Sequence, residues 1–103
     1  MAVAELFRAL GDPTRLEMVR RLSSGNTYTL TSVSSGLEIS RQGARKHLQI
    51  LAEAKVISLE PRGRDTAVRL ERDALETGRA FITDLEIRWD KRLEALRRFV
   101  DDE

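Results

Sequence analysis

The hydrophobic period of this chain changes within one short stretch, and that change leaves few architectures open. Over residues 40–54, Ala44, Leu48 and Leu51 recur at helical spacing, with Ser40 placed to cap the helix start. Directly afterwards residues 56–61 and 66–71 alternate in strand fashion, Ile57 and Leu59 on one side of the turn Arg62-Gly63-Arg64-Asp65, Val68 and Leu70 on the other. A helix therefore feeds into a hairpin with arginines at its tip. The helix itself has two unlike faces. Ala44, Leu48 and Leu51 share one, whereas Arg41, Gln42, Arg45, Lys46 and Gln49 share another, turned away by more than roughly 90°.

Upstream, Val3, Leu6, Phe7 and Leu10 form a short amphipathic helix that stops at Gly11. Asp12-Pro13 reads as an N-cap followed by proline at the first helical position, where its missing N–H costs nothing. The second helix runs to about residue 23 with Leu16, Val19 and Leu22 as its expected apolar stripe, and Gly25-Asn26 breaks it. Tyr28-Thr29-Leu30 reads as extended. Thr31 is then expected to cap a very short helix carrying Val33 and ending at Gly36. Downstream, residues 73–100 read as one helix with an irregularity expected near Gly78. Its apolar residues Phe81, Leu85, Trp89, Leu93, Leu96 and Val100 recur at steps of four or three, widened by Ile82 and Phe99. That is more apolar surface than a domain of 103 residues needs for its own core.

Net charge is +1, from 18 basic and 17 acidic side chains, and gives no bulk signal for nucleic acid. The distribution does. Residues 41–64 carry Arg41, Arg45, Lys46, Lys55, Arg62 and Arg64 against only Glu53 and Glu60, a local excess of four positive charges. From residue 72 onward, seven basic side chains face nine acidic ones. A neutral chain can thus present one basic face. The sequence holds no cysteine and a single histidine, His47, which excludes disulfides and thiolate metal sites. No leader-like apolar segment or run long enough to span a membrane occurs, so a cytoplasmic protein with no membrane partner is expected.

Helices, a basic-faced helix and a charged hairpin, in that order, describe a mainly α fold with a small β-hairpin wing, the winged helix-turn-helix. The stretch Leu10-Gly11-Asp12-Pro13-Thr14-Arg15-Leu16, residues 40–54 and the wing Arg62-Gly63-Arg64-Asp65 resemble the ArsR-type winged-helix transcriptional regulators over nearly the whole chain. Trp89 with Arg92, Leu93 and Leu96 is similar to the ending of members without metal ligands. The resemblance implies a single domain, with residues 12–71 as DNA-binding core and residues 1–11 and 73–103 as dimerisation helices. It implies a homodimeric repressor whose two recognition helices sit about one DNA turn, roughly 34 Å, apart on an inverted-repeat operator in double-stranded DNA. Two departures stand out. Lys55 occupies a position where such proteins usually have glycine, and Gly43 lies inside the recognition helix.

Ser40, Arg41, Gln42, Arg45, Lys46 and Gln49, with Arg62 and Arg64 on the wing, are the expected DNA-contacting residues. Arginine can bond guanine at O6 and N7, glutamine can do the same for adenine, and lysine serves phosphate as a point charge. The plain alternative is a solvated helix face. No acidic residue interrupts it, which favours DNA. Thr31 and Ser32 could meet phosphate at a helix start, with simple capping the equal alternative. His47 sits at the edge of the apolar stripe and reads as a packed, hydrogen-bonded structural residue. Leu6, Phe7, Leu10, Phe81, Leu85, Trp89, Leu93 and Leu96 are assigned to the dimer interface.

Catalysis finds no nucleophile, base and pocket in this residue set, and no cofactor is called for. Asp84, Glu86, Asp90 and Glu94 on the last helix fall where metal-sensing relatives place ligands, yet carboxylates without imidazole suit transition metals poorly, so no metal residues are assigned. Two other readings stand beside the regulator: a winged-helix interaction module that does not bind DNA, and a metal-responsive repressor. An unidentified small-molecule effector at the dimer interface, or control by protein level alone, stay open.

Overall fold

Local capping chemistry decides most of the element boundaries. In the computed structural model, which describes residues 2–101, α1 (Ala2–Leu10) ends at Gly11, and α2 (Pro13–Leu22) begins where the Asp12 carboxylate accepts the backbone N–H groups of Thr14 and Arg15 at 2.9 and 3.0 Å. A two-residue strand β1 (Tyr28–Thr29) leads into the one-turn helix α3 (Leu30–Val33). The cap of α3 is Thr29 rather than Thr31. Thr29 Oγ1 accepts the Ser32 N–H at 3.2 Å while Ser32 Oγ accepts the Thr29 N–H at 2.8 Å, a reciprocal box that starts the helix two residues early. The long two-faced helix α4 (Arg41–Glu53) starts at Ser40, whose hydroxyl accepts the Gly43 N–H at 2.9 Å.

Strands β2 (Ile57–Arg62) and β3 (Asp65–Leu70) form the hairpin, and β1 adds to the far side of β3, giving an antiparallel sheet in the order β1-β3-β2. Arg62 pairs with Asp65, so the loop is only Gly63-Arg64, and Gly63 takes φ 60 as the first residue of such a tight turn must. Because β3 is central, successive residues Ala67 and Val68 are both buried. Helix α5 (Arg72–Asp101) closes the chain as 30 unbroken residues, about 45 Å long, within overall extents of 70 × 25 × 25 Å.

One core joins α1 to β3. Leu6, Ala9, Met18, Leu22, Leu30, Val33, Ala44, Leu48, Leu51, Val56, Ile57 and Val68 form a single buried cluster. Three expectations change here. The inward face of α2 is Met18 and Leu22, four residues apart, while Leu16 is 53% exposed; steps of three drift by about 60° each, so Leu16 falls off the face that Leu22 centres. Leu6 is buried within its own subunit at 2% exposure and has no surface left for a partner, and with Ala9 it makes α1 part of the core rather than a separate arm. Gly78 marks no irregularity. It sits inside an unbroken helix, and a Cβ there would lie 2.9 Å from Leu6 Cδ2, so glycine lets α5 close on α1.

The helix end at residue 54 carries backbone strain. Lys55 N–H reaches Ala52 O at 3.0 Å and Val56 N–H reaches Leu51 O at 3.0 Å, the paired bonds that require a left-handed residue between them, and Lys55 supplies it at φ 63. A side chain in that region costs about 1 kcal/mol or slightly more. Lys55→Gly is therefore expected to raise stability by about 1 kcal/mol, read as a higher midpoint in urea at unchanged slope. A lower midpoint would show that the lysine side chain contributes more than its backbone costs.

Candidate nucleic-acid interface

Helix α4 meets the protein with one side only. Ala44, Leu48 and Leu51 are 1%, 0% and 0% exposed, whereas Arg41, Gln42, Arg45, Lys46 and Gln49 are all exposed. The separation follows from 3.6 residues per turn, which turns the 44/48/51 row inward and leaves the 41/42/45/46/49 row to solvent. Ser40 is exposed too, with its hydroxyl committed to the Gly43 N–H. A Cβ on residue 43 would stand 3.1 Å from that same hydroxyl, so glycine suits the tight cap. On the wing, Arg62 and Arg64 are exposed at either side of Gly63, and the Asp65 carboxylate is turned onto the Thr66 N–H at 2.8 Å.

What sets these cations apart is their clustering on one face without an anion among them. Among the described residues none of Arg41, Arg45, Lys46, Arg62 or Arg64 makes an ion pair. Elsewhere Arg20 and Arg21 bond Glu17 on α2, and Arg79–Glu76, Arg88–Asp84 and Arg98–Glu94 pair along α5, where Lys91, Arg92 and Arg97 alternate with carboxylates without pairing among the described residues. The Arg20 guanidinium, hydrogen-bonded to Glu17, holds that carboxyl below its usual range. A basic patch with no internal anions is one whose counter-charge must come from outside.

The single histidine faces neither the patch nor the core centre. His47 Nδ1 lies 3.1 Å from an Arg15 Nη and 3.9 Å from Asp12 Oδ2. Since arginine only donates, Nδ1 accepts, which assigns the ring proton to Nε2. Asp12 is held below the ordinary carboxylate range, first by the Arg15 backbone N–H and then by the Arg15 charge. The sequence predicts a hydrogen-bonded structural role for His47 but carries no signal for its partner. Arg15 belongs to a helix 32 positions away, and only the fold brings the two together.

Beyond Gly78 every described residue of α5 is exposed. Phe81, Ile82, Leu85, Trp89, Leu93, Leu96, Phe99 and Val100 are 42–67% exposed. At 100° per residue they fall within an arc of about 120°, centred where Gly78 meets α1, so one apolar stripe is covered at its start and bare along its length. Phe7 touches the start of it, its ring 5.8 Å from that of Phe81. Of the four carboxylates weighed as metal ligands, Asp84 and Glu94 are engaged with Arg88 and Arg98, and among the described residues no group of three or more His, Cys, Asp or Glu gathers as a metal site. No helix of the described residues is long and apolar enough to cross a membrane.

Residues 10–60 match the helix-turn-helix domain family. The chain is 34% identical over 65 residues to the uncharacterized HTH-type transcriptional regulator YuzN of Bacillus subtilis (strain 168), covering 57% of this chain and 71% of that protein. It is 30% identical over 60 residues to an uncharacterized HTH-type transcriptional regulator of Methanocaldococcus jannaschii, covering 58% and 67% respectively. Among solved structures, an ArsR-like transcriptional regulator from Rhodococcus sp. RHA1 superposes with a TM-score of 0.80 at 28% identity, over 95% of this chain and 92% of that one.

Proposed function

The chain belongs to the ArsR family of winged helix-turn-helix, DNA-binding transcriptional regulators, and from that premise we propose that it works as a homodimeric repressor reading an inverted-repeat operator through α4. The observation that carries this reading is the exposed row Arg41, Gln42, Arg45, Lys46 and Gln49, free of internal anions, on a helix whose other side is seated in the core. A helix fits the major groove, about 12 Å wide, and Arg62 and Arg64 on the wing suit the flanking backbone.

The bare stripe of α5 and the half-buried Phe7 and Leu10 of α1 supply the self-complementary surface that a two-fold pair requires. Residues 12–71 then act as the reading unit, and α1 with residues 73–103 as the pairing unit. Occupancy of a promoter by such a pair blocks transcription without further machinery. The protein acts in the cytoplasm, where its operator lies, and needs no cofactor for this activity. With Asp84 and Glu94 paired to arginines, control by a small molecule or by protein level is favoured over a metal trigger.

Two substitutions test the DNA face. Arg45→Ala removes a base-reading group and is expected to cost about 1–3 kcal/mol on the operator and to relax specificity there. Arg64→Ala removes a phosphate contact and is expected to weaken all duplexes alike, lowering the log–log salt slope by about 0.9. Gel shifts on genomic fragments over a salt series read both. Unchanged binding in both variants would move the interface elsewhere on the molecule.

A further inference from the structure

Arg15 is fixed at three points, and the points belong to two different helices. Its Nε–H donates to Ala9 O at 2.7 Å, one Nη donates to Arg8 O at 3.4 Å, and the other to His47 Nδ1 at 3.1 Å. The first two are end carbonyls of α1, and the third is a side chain midway along α4. The backbone N–H of Arg15 is itself held by Asp12, whose carboxylate stands 3.9 Å from the same imidazole nitrogen. A rigid guanidinium fork thus clamps the end of α1 to α4.

The clamp matters because apolar packing alone sets the roll of a helix loosely. Ala44, Leu48 and Leu51 keep α4 on the core, but dispersion and burial are non-directional, whereas a hydrogen bond fails within a few tenths of an ångström. A helix surface lies roughly 5–6 Å from its axis, so a roll of about 10° sweeps Arg45 and Lys46 by about 1 Å. That is enough to spoil bidentate contact with a base while leaving a phosphate within reach. The other end of the clamp is equally placed. Helix α1, whose carbonyls Arg15 holds, also carries Leu6 against Gly78 and Phe7 against Phe81 at the start of the bare α5 stripe.

We propose that Arg15 and His47 are positioning residues that lock the roll of α4 to the α1–α5 junction, so that a change in packing at that junction alters operator recognition and not DNA affinity in general. The proposal rests on α4 being the DNA-facing helix. It gives a chain with one histidine and no cysteine a route by which events at the α5 stripe reach the reading face.

The test compares two duplexes of equal length, an operator fragment recovered by binding selection and its scrambled sequence, at one salt concentration. Arg15→Lys keeps the charge and loses the fork. It is expected to lower operator affinity at least tenfold while leaving the scrambled duplex and the salt slope as in the parent protein. His47→Ala should give the same loss, and the double variant no more than either single one, since both break one link. His47→Gln, whose amide oxygen can accept from Arg15, should recover most of the operator affinity. If Arg15→Lys melts below the assay temperature, the His47→Ala and His47→Gln pair carries the same comparison. Equal losses on both duplexes, additive losses in the double variant, or parental operator affinity in a folded Arg15→Lys or His47→Ala protein would each overturn the clamp. Arg45→Ala separates the premises: if it too leaves operator affinity unchanged, the assignment of α4 as reading helix fails; if it alone reduces affinity, only the clamp does.

Discussion

Trp89→Asp combined with Leu93→Asp is expected to yield a folded monomer whose operator affinity has dropped by at least about 100-fold. Both side chains are uncovered within the subunit, at 59% and 43% exposure, so the substitution leaves the core of the chain untouched. In a two-fold pair each occurs twice at the middle of the stripe. Burying one large apolar side chain is worth about 1.5–3 kcal/mol, and an unpaired carboxylate forced into that contact adds several more on the unfavourable side. Four such changes exceed what an interface between two 103-residue chains can absorb. The DNA consequence follows from arithmetic. A dimer holding one half-site presents its second recognition helix at a high effective concentration, typically worth 10²–10⁴ in affinity, and a monomer has only the first contact. Analytical ultracentrifugation at micromolar concentration and gel shifts on the operator read the two effects together. A variant that still sediments as the parent protein would show that the stripe is not the pairing surface. One that is monomeric yet binds the operator as before would remove the two-half-site reading instead.

What could be read from the sequence, and what could not, divides along a physical line. Asp12-Pro13, Ser40 and the Arg62-Gly63-Arg64-Asp65 turn are local devices, complete within one turn of chain, and the structure places them where residue chemistry alone puts them. The two faces of α4 were equally legible, because helical geometry sorts them without any knowledge of neighbours. The cap of α3 was displaced by two residues since either Thr29 or Thr31 offers a hydroxyl, and only the reciprocal bond with Ser32 decides. Met18 took the inward place given to Leu16 because Met18 and Leu22, four residues apart, stay on one face while steps of three drift off it, and only packing against the core decides which row turns inward. Gly78 read as a weak point in a helix and is instead the place where α1 and α5 touch. The Arg15–His47 link joins residues distant in sequence and has no periodic signature at all. Leu6 shows the same limit from the other side. An apolar residue beside a partly exposed one looks like interface until burial assigns it to the core.

The sharpest contrast the molecule offers lies within α4, between Leu48 and Arg45. Leu48 is 0% exposed within the single core, and Leu48→Ala is expected to cost about 3–5 kcal/mol, the lost transfer energy plus the cavity left behind. For a domain whose whole stability is on the order of 5–15 kcal/mol, that removes a large share, and the melting temperature should fall by more than about 10 °C. At temperatures where the variant is still folded, it should nevertheless discriminate operator from scrambled DNA, because every group on the outer row is intact. Arg45→Ala should do the reverse. Its side chain has no ion-pair partner among the described residues and lies in solvent, so stability should stay within about 0.5 kcal/mol of the parent while discrimination falls by about 1–3 kcal/mol. Calorimetry and gel shifts on the two variants therefore form a crossed pair, one moving only the melt and the other only the recognition. If Leu48→Ala melted like the parent, α4 would not be seated as its burial implies. If Arg45→Ala lowered the melt instead of the specificity, the outer row would be holding the fold together, and the basic surface would have to be sought elsewhere.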